Sequence, residues 1–239
     1  MTTSFNKEKH EYLIDGERAT GITTIIGVLA KPALIGWAAK MACEYIREHV
    51  AYAIPGTDGG YWAIKPSDVD EAQKAHTKKK EAAGTHGTDT HSLIEEWIKG
   101  ALEGKVLVDD KFLPIAKFIQ WVEQDVDHFL FSERQMFNKD MFIAGTADFG
   151  AVMKDGKKLI GDFKTSSGVY GIDYFLQCAG YKILAEGEGD TPYDGCVIAR
   201  LGKDGTFDVT YRYDTKTDEE AFRACLTIYR AQATYKKPK

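Results

Sequence analysis

The feature that most constrains the fold is a pair of apolar segments joined by a short polar turn. Met141–Met153 and Lys158–Lys164 both have the composition of β-strands, and Lys154-Asp155-Gly156-Lys157 lies between them. Asp and Gly are typical of tight turns between antiparallel strands. The two segments are therefore predicted to form a β-hairpin, and the length of its turn decides which residues lie opposite each other.

Two turn lengths fit this sequence, and they bring different residues together. A two-residue Asp-Gly turn places Asp148 opposite Phe163, whereas a three-residue Lys-Asp-Gly loop with a left-handed glycine places Asp148 opposite Asp162. Opposed residues have Cβ atoms ~4.5–5.5 Å apart. Lys164 lies on the same face as Asp162 because the side-chain period of a strand is two. The second register thus gathers two carboxylates and a lysine into one cluster.

Such a cluster has a clear chemical use. Two opposed carboxylates repel each other unless one is protonated, and a divalent cation removes this conflict. Oxygen ligands suit Mg²⁺ or Mn²⁺, with water and a substrate phosphate completing the coordination shell, and a nearby lysine can stabilise charge on that phosphate. The alternative is a solvent-facing strand with scattered charges. The apolar residues around Asp148 and Asp162 favour the cluster, since charges in buried surroundings need a partner.

Composition excludes several classes of protein. The 239 residues are 44% hydrophobic and 12% aromatic, which is too apolar for a disordered or collagen-like chain. No apolar run approaches the ~18–20 residues of a membrane span, and Met1–Lys7 has no apolar signal segment. A soluble cytoplasmic protein without membrane partners is therefore expected. The net charge of −5 counts mildly against nucleic-acid binding, but it allows a local basic groove beside an acidic metal site.

The order of predicted elements indicates an α/β fold with a mixed central sheet. We predict one domain over residues 1–239, in which a mainly helical region, 1–109, wraps a core formed by 110–239. The predicted helices cover about 32–50, 87–98, 110–129, 174–185 and 218–235, with a further polar helix after Ser67, and the predicted strands cover 11–14, 131–137, 141–153, 158–164, 195–201 and 207–213.

Four short motifs occur in an order that resembles a known nuclease family. Gly145-Thr146-Ala147-Asp148, a hairpin and Gly161-Asp162-Phe163-Lys164-Thr165-Ser166 resemble the PD-(D/E)XK nuclease superfamily. Gln177 and Tyr181 match the Q-x-x-x-Y motif of its RecB-like branch, and Gly87-Thr88-Asp89-Thr90-His91 followed by Glu95 resembles the G-x-x-x-H helix of that branch. More weakly, Ile22–Ile26 resembles the opening of phage-type and mitochondrial genome maintenance exonucleases.

This resemblance implies roles for particular residues. The metal ligands it implies are His91, Asp148, Asp162 and the backbone carbonyl of Phe163, and Lys164 would be the catalytic lysine beside the two carboxylates. Gln177 and Tyr181, four residues apart on one helix face, would meet the DNA. The remaining positions are Thr165 and Ser166 as further DNA-binding residues, and Glu133 and Glu95 as additional acidic groups near the metal.

The resemblance also implies a fold and an activity. The fold would be a restriction-endonuclease-like αβββαβ core. The activity would be metal-dependent hydrolysis of DNA, with one or two Mg²⁺ or Mn²⁺ ions, most often by an exonuclease acting on single strands or duplex ends. A role in DNA recombination, replication or repair, as in phage, and partners among recombination or replication proteins would follow. Two alternatives stay open: a structure-specific endonuclease using the same site, and a non-catalytic DNA-binding scaffold with this fold.

The chain departs from the family in two ways. Ala147 stands where the signature proline precedes the first aspartate, as is common in the RecB-like branch. The four cysteines, Cys43, Cys178, Cys196 and Cys225, are too scattered for the cluster of the iron–sulfur members, and they contain no C-x-x-C pair. No iron–sulfur cluster is expected. No phosphate-binding loop of the G-x-x-x-x-G-K-[ST] type occurs, so no ATP is expected either.

Overall fold

The structure is a computed structural model of the 239-residue chain. It describes residues 2–50, 52–54, 61–105, 107, 109–166, 168, 171–202 and 204–235, and of 52–54, 61–62 and 83–88 it describes the backbone only. The chain divides into two compact units: a sheet unit, Met1–Leu29 with Asp89–Lys239, and a helical unit, Ala30–Thr88. This division does not test the predicted single domain, and the wrapping of the core by residues 1–109 stays a prediction.

The elements follow one another in this order. The strands are β1 (Thr3–Asn6), β2 (Glu11–Ile14), β3 (Glu17–Arg18), β4 (Thr20–Gly21), β5 (Tyr52–Ile54), β6 (Tyr61–Ala63), β7 (Val126–Asn138), β8 (Ile143–Met153), β9 (Lys158–Lys164), β10 (Gly195–Leu201) and β11 (Phe207–Arg212). The helices are α1 (Ile22–Ile26), α2 (Pro32–His49), α3 (Pro66–Leu102), α4 (Ala116–Asp125), α5 (Asp173–Gly187) and α6 (Lys216–Thr234), with a 3-10 helix at Asp110–Ile115.

The main sheet is mixed, as the order of elements predicted. Its strands run in the order β11-β10-β9-β8-β4, and β7 pairs with the other edge of β8. The pairs β9–β10 and β4–β8 are parallel, while β7–β8, β8–β9 and β10–β11 are antiparallel. Together with the chain order α4-β7-β8-β9-α5-β10, this confirms the α/β fold class and the αβββαβ order of elements.

Apolar clusters join the sheet to helices on both of its faces. On one face α1, α5 and α6 contribute Ile22, Leu184 and Phe222, which pack with Ile160 and Ile198 of the sheet. A second cluster joins α3 and α4 to the sheet; it contains Ile94, Ile98, Phe118, Trp121, Phe149, Phe163 and Val197. The burial of strands on both faces explains why β8, β9 and β10 are nearly continuous apolar runs rather than alternating ones.

The hairpin adopts the three-residue register. Phe149 pairs with Gly161, and Val152 pairs with Lys158. The loop is Lys154-Asp155-Gly156, in which Gly156 has φ of 85°, so it occupies the left-handed conformation that glycine adopts without strain. The register that places Asp148 and Asp162 at corresponding positions is therefore confirmed.

Two elements differ from their predicted bounds. The helix predicted over 110–129 ends at Asp125, and β7 begins at Val126. The β-branched and aromatic residues that follow pair along β8, and this pairing overrides the helical pattern. In addition, α3 is one continuous helix over Pro66–Leu102, although glycines at 84 and 87 predicted a break there. A further strand pair, β5 with β6, joins Tyr52–Ile54 to Tyr61–Ala63.

The helical unit contains α2, β5, β6 and the first part of α3. On α3, Glu71 forms ion pairs with Lys74 and Lys78. The rings of Trp37 and His76 meet edge to face at 6.3 Å. Among the described residues of the whole chain, no helix combines the length and the apolar character that a bilayer span requires.

Candidate functional site

The main sheet opens at one edge of β8. The pairing of β8 with β9 ends at Phe149, and its pairing with β4 covers only Ile143 and Ala144. Among the described residues, Gly145, Thr146 and Ala147 therefore pair with β7 alone. With Asp148 they form the predicted Gly-Thr-Ala-Asp motif, and Gly145, Thr146 and Asp148 line a cavity at this break in the sheet.

Asp148, which precedes the first β8–β9 pair at Phe149, connects β8 to β9 through its side chain. Its Oδ2 accepts a hydrogen bond of 2.6 Å from the backbone N–H of Phe163. Burial, followed by the charge of Asp162, raises the pKa of the Asp148 carboxyl well above its usual range, against the lowering effect of Lys164. The two carboxylates are thus close enough to oppose each other's ionisation, as the three-residue register predicted.

Asp162 is the least exposed of the three charged residues Asp148, Asp162 and Lys164. It is 1% exposed, and its Oδ2 forms an ion pair with Lys164 Nζ. Among the described residues, Oδ2 has no partner besides Lys164. A buried charge needs compensation from opposite charges, and carboxylate oxygens are ligands that Mg²⁺ accepts.

Lys164 is held from two sides. Besides the ion pair with Asp162, its Nζ donates a 3.3 Å hydrogen bond to Gln177 Oε1, and Gln177 Nε2 donates at 2.7 Å to the hydroxyl of Tyr181. Burial lowers the pKa of Lys164, but the charges of Asp162 and Asp148 outweigh it and raise that pKa. Lys164 is therefore a fixed cation. The two residues of the Q-x-x-x-Y motif position this lysine in addition to any contact they make with a ligand.

A glycine permits Tyr181 to reach β8. A Cβ at Gly145 would lie 2.8 Å from both Tyr181 Cε1 and Ile22 Cγ1, so any larger residue would displace the ring. Tyr181 is 4% exposed, and burial raises the pKa of its hydroxyl well above the usual value. The tyrosine is consequently neutral and acts through its hydrogen bond rather than through a charge.

The open edge of β8 faces a cavity of about 550 Å³. This volume is in the range typical of ligand-binding sites. Of the predicted site residues, the cavity is lined by His91, Glu133, Asp148 and Tyr181. Residues far apart in the sequence, on α3, β7, β8 and α5, thus meet around one space.

Glu133 lies in an unusual backbone conformation beside Asp148. Its φ is 50°, a left-handed value that is uncommon for a residue with a side chain. Its neighbours Ser132 and Arg134 pair with Phe149 and Ala147, so Glu133 corresponds to Asp148 in this register. Burial raises the pKa of Glu133 to about 7, with a further contribution from Glu95. Its carboxyl can therefore gain or lose a proton near neutral pH.

His91 also lines the cavity. Its ring meets the ring of Phe163 edge to face at 5.9 Å. Burial lowers the pKa of the imidazole, although the charge of Asp162 acts in the opposite direction. His91 is neutral at neutral pH as a result, and the neutral imidazole is the form that binds metals.

The described side chains do not form a complete metal cage. Among them, no group of three or more His, Cys, Asp or Glu residues is arranged to hold a metal ion. The pair Asp148 and Asp162 is the acidic core of the site, and His91 and Glu133 lie on the same cavity. Mg²⁺ is commonly held by only one or two carboxylates, with water and substrate phosphate in the other positions.

Seven of the predicted positions are not among the described residues that line the cavity: Asp162, Phe163, Lys164, Gln177, Glu95, Thr165 and Ser166. The first four are joined to the lining residues Asp148 and Tyr181 by the hydrogen bonds and the ion pair given above. Glu95 forms an ion pair with Lys99 on α3, and it acts on the cavity only through the pKa of Glu133 and His91. Ser166 donates to the Gly168 carbonyl at 2.8 Å, and, among the described residues, neither Thr165 nor Ser166 lines the cavity. The Gly87 and Thr88 positions of the helix motif lie where the structure describes the backbone only.

The other walls of the cavity were missed by the motif comparison. Tyr12 reaches the motif directly, since its hydroxyl shares a 2.9 Å hydrogen bond with the hydroxyl of Thr146. The remaining wall includes His10, Arg18, Thr23, Thr24 and Tyr229. Two sequence features could have pointed to these residues: the threonines of the Ile22–Ile26 segment, which is part of the resemblance, and the alternating apolar pattern of β2. Neither feature indicates that the residues lie across a cavity from Asp148.

Replacement of Asp148 by asparagine tests the electrostatics of this pair. Because the pKa of Asp148 is raised from its usual 3.8, the folded state binds more protons than the unfolded state above about pH 4, and stability falls as pH rises through that window. Asparagine does not titrate, and its oxygen can still accept from Phe163. The quantity measured is the difference in melting temperature in EDTA, Asp148→Asn minus wild type. This difference is expected to rise by a few degrees between about pH 4 and 7, because only the wild type loses stability through this group. Parallel melting curves would contradict the raised pKa.

Comparisons with known proteins do not identify a family. No protein-family model matches the chain, and no curated protein matches it. A solved structure titled "Crystal structure of SSO0001" is 15% identical, and the match has a TM-score of 0.30. It covers 49% of this chain and 58% of that chain, a little more than half of the length of the matched structure. A likeness of this size carries no argument about function.

Proposed function

We propose that the protein is a metal-dependent deoxyribonuclease that hydrolyses phosphodiester bonds, most directly as an exonuclease on single strands or duplex ends. The observation that carries the proposal is the enclosed pair Asp148 and Asp162 with the fixed cation Lys164 beside it. The order of its motifs, which resembles the RecB-like PD-(D/E)XK nucleases, supports the same conclusion. A cytoplasmic location, which the sequence predicts, is also part of this proposal.

The residues present fit a divalent metal. Asp162 Oδ2 is buried and, among the described residues, has no partner besides Lys164. Burial, followed by the charge of Asp162, raises the pKa of Asp148, and a divalent cation favours the ionised form of both carboxylates. Asp148 and Asp162 would hold Mg²⁺ or Mn²⁺, with His91 and the Phe163 carbonyl as further candidate ligands. When bound, the metal supplies a water of lowered pKa and offsets the charge of the phosphate.

Lys164 acts in this proposal as a positive charge rather than as a base. Its raised pKa keeps it protonated at neutral pH, so it can donate to a phosphate oxygen but cannot take a proton from water. Gln177 accepts a hydrogen bond from Lys164 Nζ, which reduces the freedom of a long side chain. Glu133, with a pKa of about 7, is the group on the cavity wall best suited to accept a proton.

The proposed function is tested by a cleavage time course with purified protein. The substrates are end-labelled single-stranded DNA, end-labelled duplex DNA, circular DNA and single-stranded RNA, each with Mg²⁺, Mn²⁺ or EDTA. Metal-dependent loss of linear but not circular DNA is expected, and the position of the label gives the polarity. Cleavage of circles would establish an endonuclease instead, and preferential cleavage of RNA would change the substrate class.

One observation favours a second candidate, a DNA-binding protein that does not cleave. The described side chains contain no three-residue metal group, and a protein that only binds DNA needs none. The same time course separates the two candidates. Binding of DNA without cleavage at any metal concentration would support the scaffold, whereas metal-dependent cleavage would exclude it. A recombination, replication or repair role, with partners from those processes, belongs to the proposal in either case.

A further inference from the structure

We propose that the wall of the cavity formed by the N-terminal strands is a second phosphate-binding subsite, in which Arg18 and His10 hold a phosphate of the DNA strand next to the one at Asp148. This inference rests on the proposed function, because it says where the protein binds the phosphate next to the one that is cleaved. It concerns residues outside the motifs that the resemblance includes.

The lining of the cavity combines two kinds of group. Glu133 and Asp148 are acidic, while Arg18, His10 and Thr24, the basic wall, provide a guanidinium, an imidazole and a hydroxyl. A carboxylate pair repels a phosphate unless a cation intervenes, whereas arginine and hydroxyl groups bind phosphate directly. A chain with repeated phosphates matches this lining, since one phosphate can lie at the carboxylates while its neighbour lies at the basic wall.

Arg18 is available for a ligand. Its side chain is 71% exposed, and its contact with Glu11 is a single 3.4 Å ion pair. Exposed ion pairs of this kind contribute little stability, so exchanging the Glu11 carboxylate for a phosphate costs little. The guanidinium can then bind two phosphate oxygens at once.

His10 is oriented by aromatic packing and by its backbone. Its φ is 50°, a conformation that few residues with a side chain adopt, and local strain of this type is concentrated at binding sites. The imidazole packs edge to face against Phe5 at 5.3 Å and against Tyr12 at 5.8 Å. Tyr12 is in turn hydrogen-bonded to Thr146, two residues before Asp148. The wall is thereby linked to the catalytic motif through packed side chains.

The size of the cavity favours an unpaired strand. About 550 Å³ corresponds to a site that encloses a small ligand, which accommodates part of one strand rather than a base-paired duplex. The phosphate at the basic wall has two sources: an internal phosphodiester or the terminal phosphate of the strand. Both present the same anionic oxygens to Arg18.

The test measures binding separately from cleavage. Anisotropy of a short, internally labelled single-stranded oligonucleotide is recorded in EDTA over a range of NaCl concentrations, with a 5′-phosphate, a 3′-phosphate or hydroxyl ends. Arg18→Gln is expected to weaken binding about tenfold and to reduce the slope of log K against log salt concentration by about 0.7, the value for one lost phosphate contact on a single strand. The matched control is Lys9→Gln, which removes the same charge beside His10 from an exposed residue outside the cavity lining.

A second variant separates binding from a structural effect. Glu11→Gln breaks the same ion pair but leaves Arg18, so binding at least as tight as that of the wild type is expected. Weakening by Glu11→Gln equal to that by Arg18→Gln, or equal slopes for Arg18→Gln and Lys9→Gln, would overturn the subsite. An effect of Arg18→Gln that requires a terminal phosphate assigns the subsite to strand ends, and an effect with hydroxyl ends assigns it to an internal phosphodiester.

The failure of this inference differs from the failure of the proposed function. If the wild type cleaves DNA but Arg18→Gln behaves like Lys9→Gln, the subsite is wrong and the nuclease stands. If Arg18→Gln weakens binding but no metal supports cleavage by the wild type, the nuclease is wrong and the phosphate subsite stands. In an active enzyme, Arg18→Gln is expected to raise KM about tenfold and leave kcat within twofold, because Arg18 holds the neighbouring phosphate rather than the reacting one.

Discussion

Replacement of Asp162 by asparagine is expected to reduce metal-dependent cleavage by about a thousandfold or more while the protein still folds. The change preserves the shape of a side chain that is 1% exposed and removes the negative charge that the metal and Lys164 require. Lys164→Ala is expected to have an effect of similar size, since it removes the cation paired with Asp162. Single-turnover rates with end-labelled DNA and Mn²⁺ measure both losses.

Two controls make this result specific. Asp127→Asn makes the same chemical change on β7, where the side chain is 62% exposed and contacts only its neighbour His128 among described residues, and it should cleave at the wild-type rate. Thermal melts in EDTA show whether each variant is folded. Mn²⁺ is expected to raise the melting temperature of the wild type but not that of Asp162→Asn. Wild-type cleavage by Asp162→Asn would refute the site assignment.

Replacement of Gly161 by alanine is expected to destabilise the protein by about 3 kcal/mol, at the upper end of the usual cost of overpacking a core. A Cβ at this position would lie 1.9 Å from Phe149 Cζ. Phe149 is fully buried and stacks on Phe163 with a centroid distance of 4.6 Å, and it meets the ring of Phe129 edge to face at 5.8 Å. The ring has no free direction in which to move, so either the ring stack or the β8–β9 ladder must give way.

Urea denaturation of Gly161→Ala measures this cost, and Gly36→Ala is the matched control. Gly36 lies on an exposed part of α2, where a Cβ would meet nothing within 4 Å, so alanine there should stabilise by about 0.5–1 kcal/mol. The double variant Gly161→Ala/Phe149→Leu should recover part of the loss, because the smaller side chain makes room. Equal stability of Gly161→Ala and the wild type would show that the ring stack is not rigid.

The same substitution is also expected to affect the site. Phe149 follows Asp148, and Phe163 lies between Asp162 and Lys164, so a shift of the stacked rings moves all three charged groups. Residual cleavage by Gly161→Ala, measured at a temperature where the variant is folded, is expected to fall well below that of Gly36→Ala. The glycine thus links core packing to the geometry of the carboxylate pair.

The local parts of the site could be predicted from the sequence because they depend on short-range rules. The turn Lys154-Asp155-Gly156 allowed only two registers, and a left-handed Gly156 was compatible with the three-residue loop that the structure contains. Strand alternation then related Asp162 to Lys164 without reference to the rest of the chain. Helical spacing likewise related Gln177 to Tyr181, which are hydrogen-bonded in the structure.

Where local and long-range interactions compete, the sequence was a weaker guide. The pattern around Val126 is compatible with a helix or a strand, and pairing with β8 decides in favour of the strand. The continuity of α3 past two glycines could not be predicted either, since the helical propensity of glycine is only about 1 kcal/mol below that of alanine and packing along the helix can offset it.

By itself, the sequence determined the hairpin, limited its register to two alternatives and placed Asp162 and Lys164 on one face, because turn geometry and the two-residue period of strands act within a few residues. The structure decided in favour of the register that relates Asp148 to Asp162. Only the tertiary structure decided that, among the described residues, neither β4 nor β9 pairs with residues 145–148. It also decided that His10, Tyr12 and Arg18 lie across the same cavity. These arrangements join segments more than a hundred residues apart, and their packing depends on the whole core rather than on any local pattern.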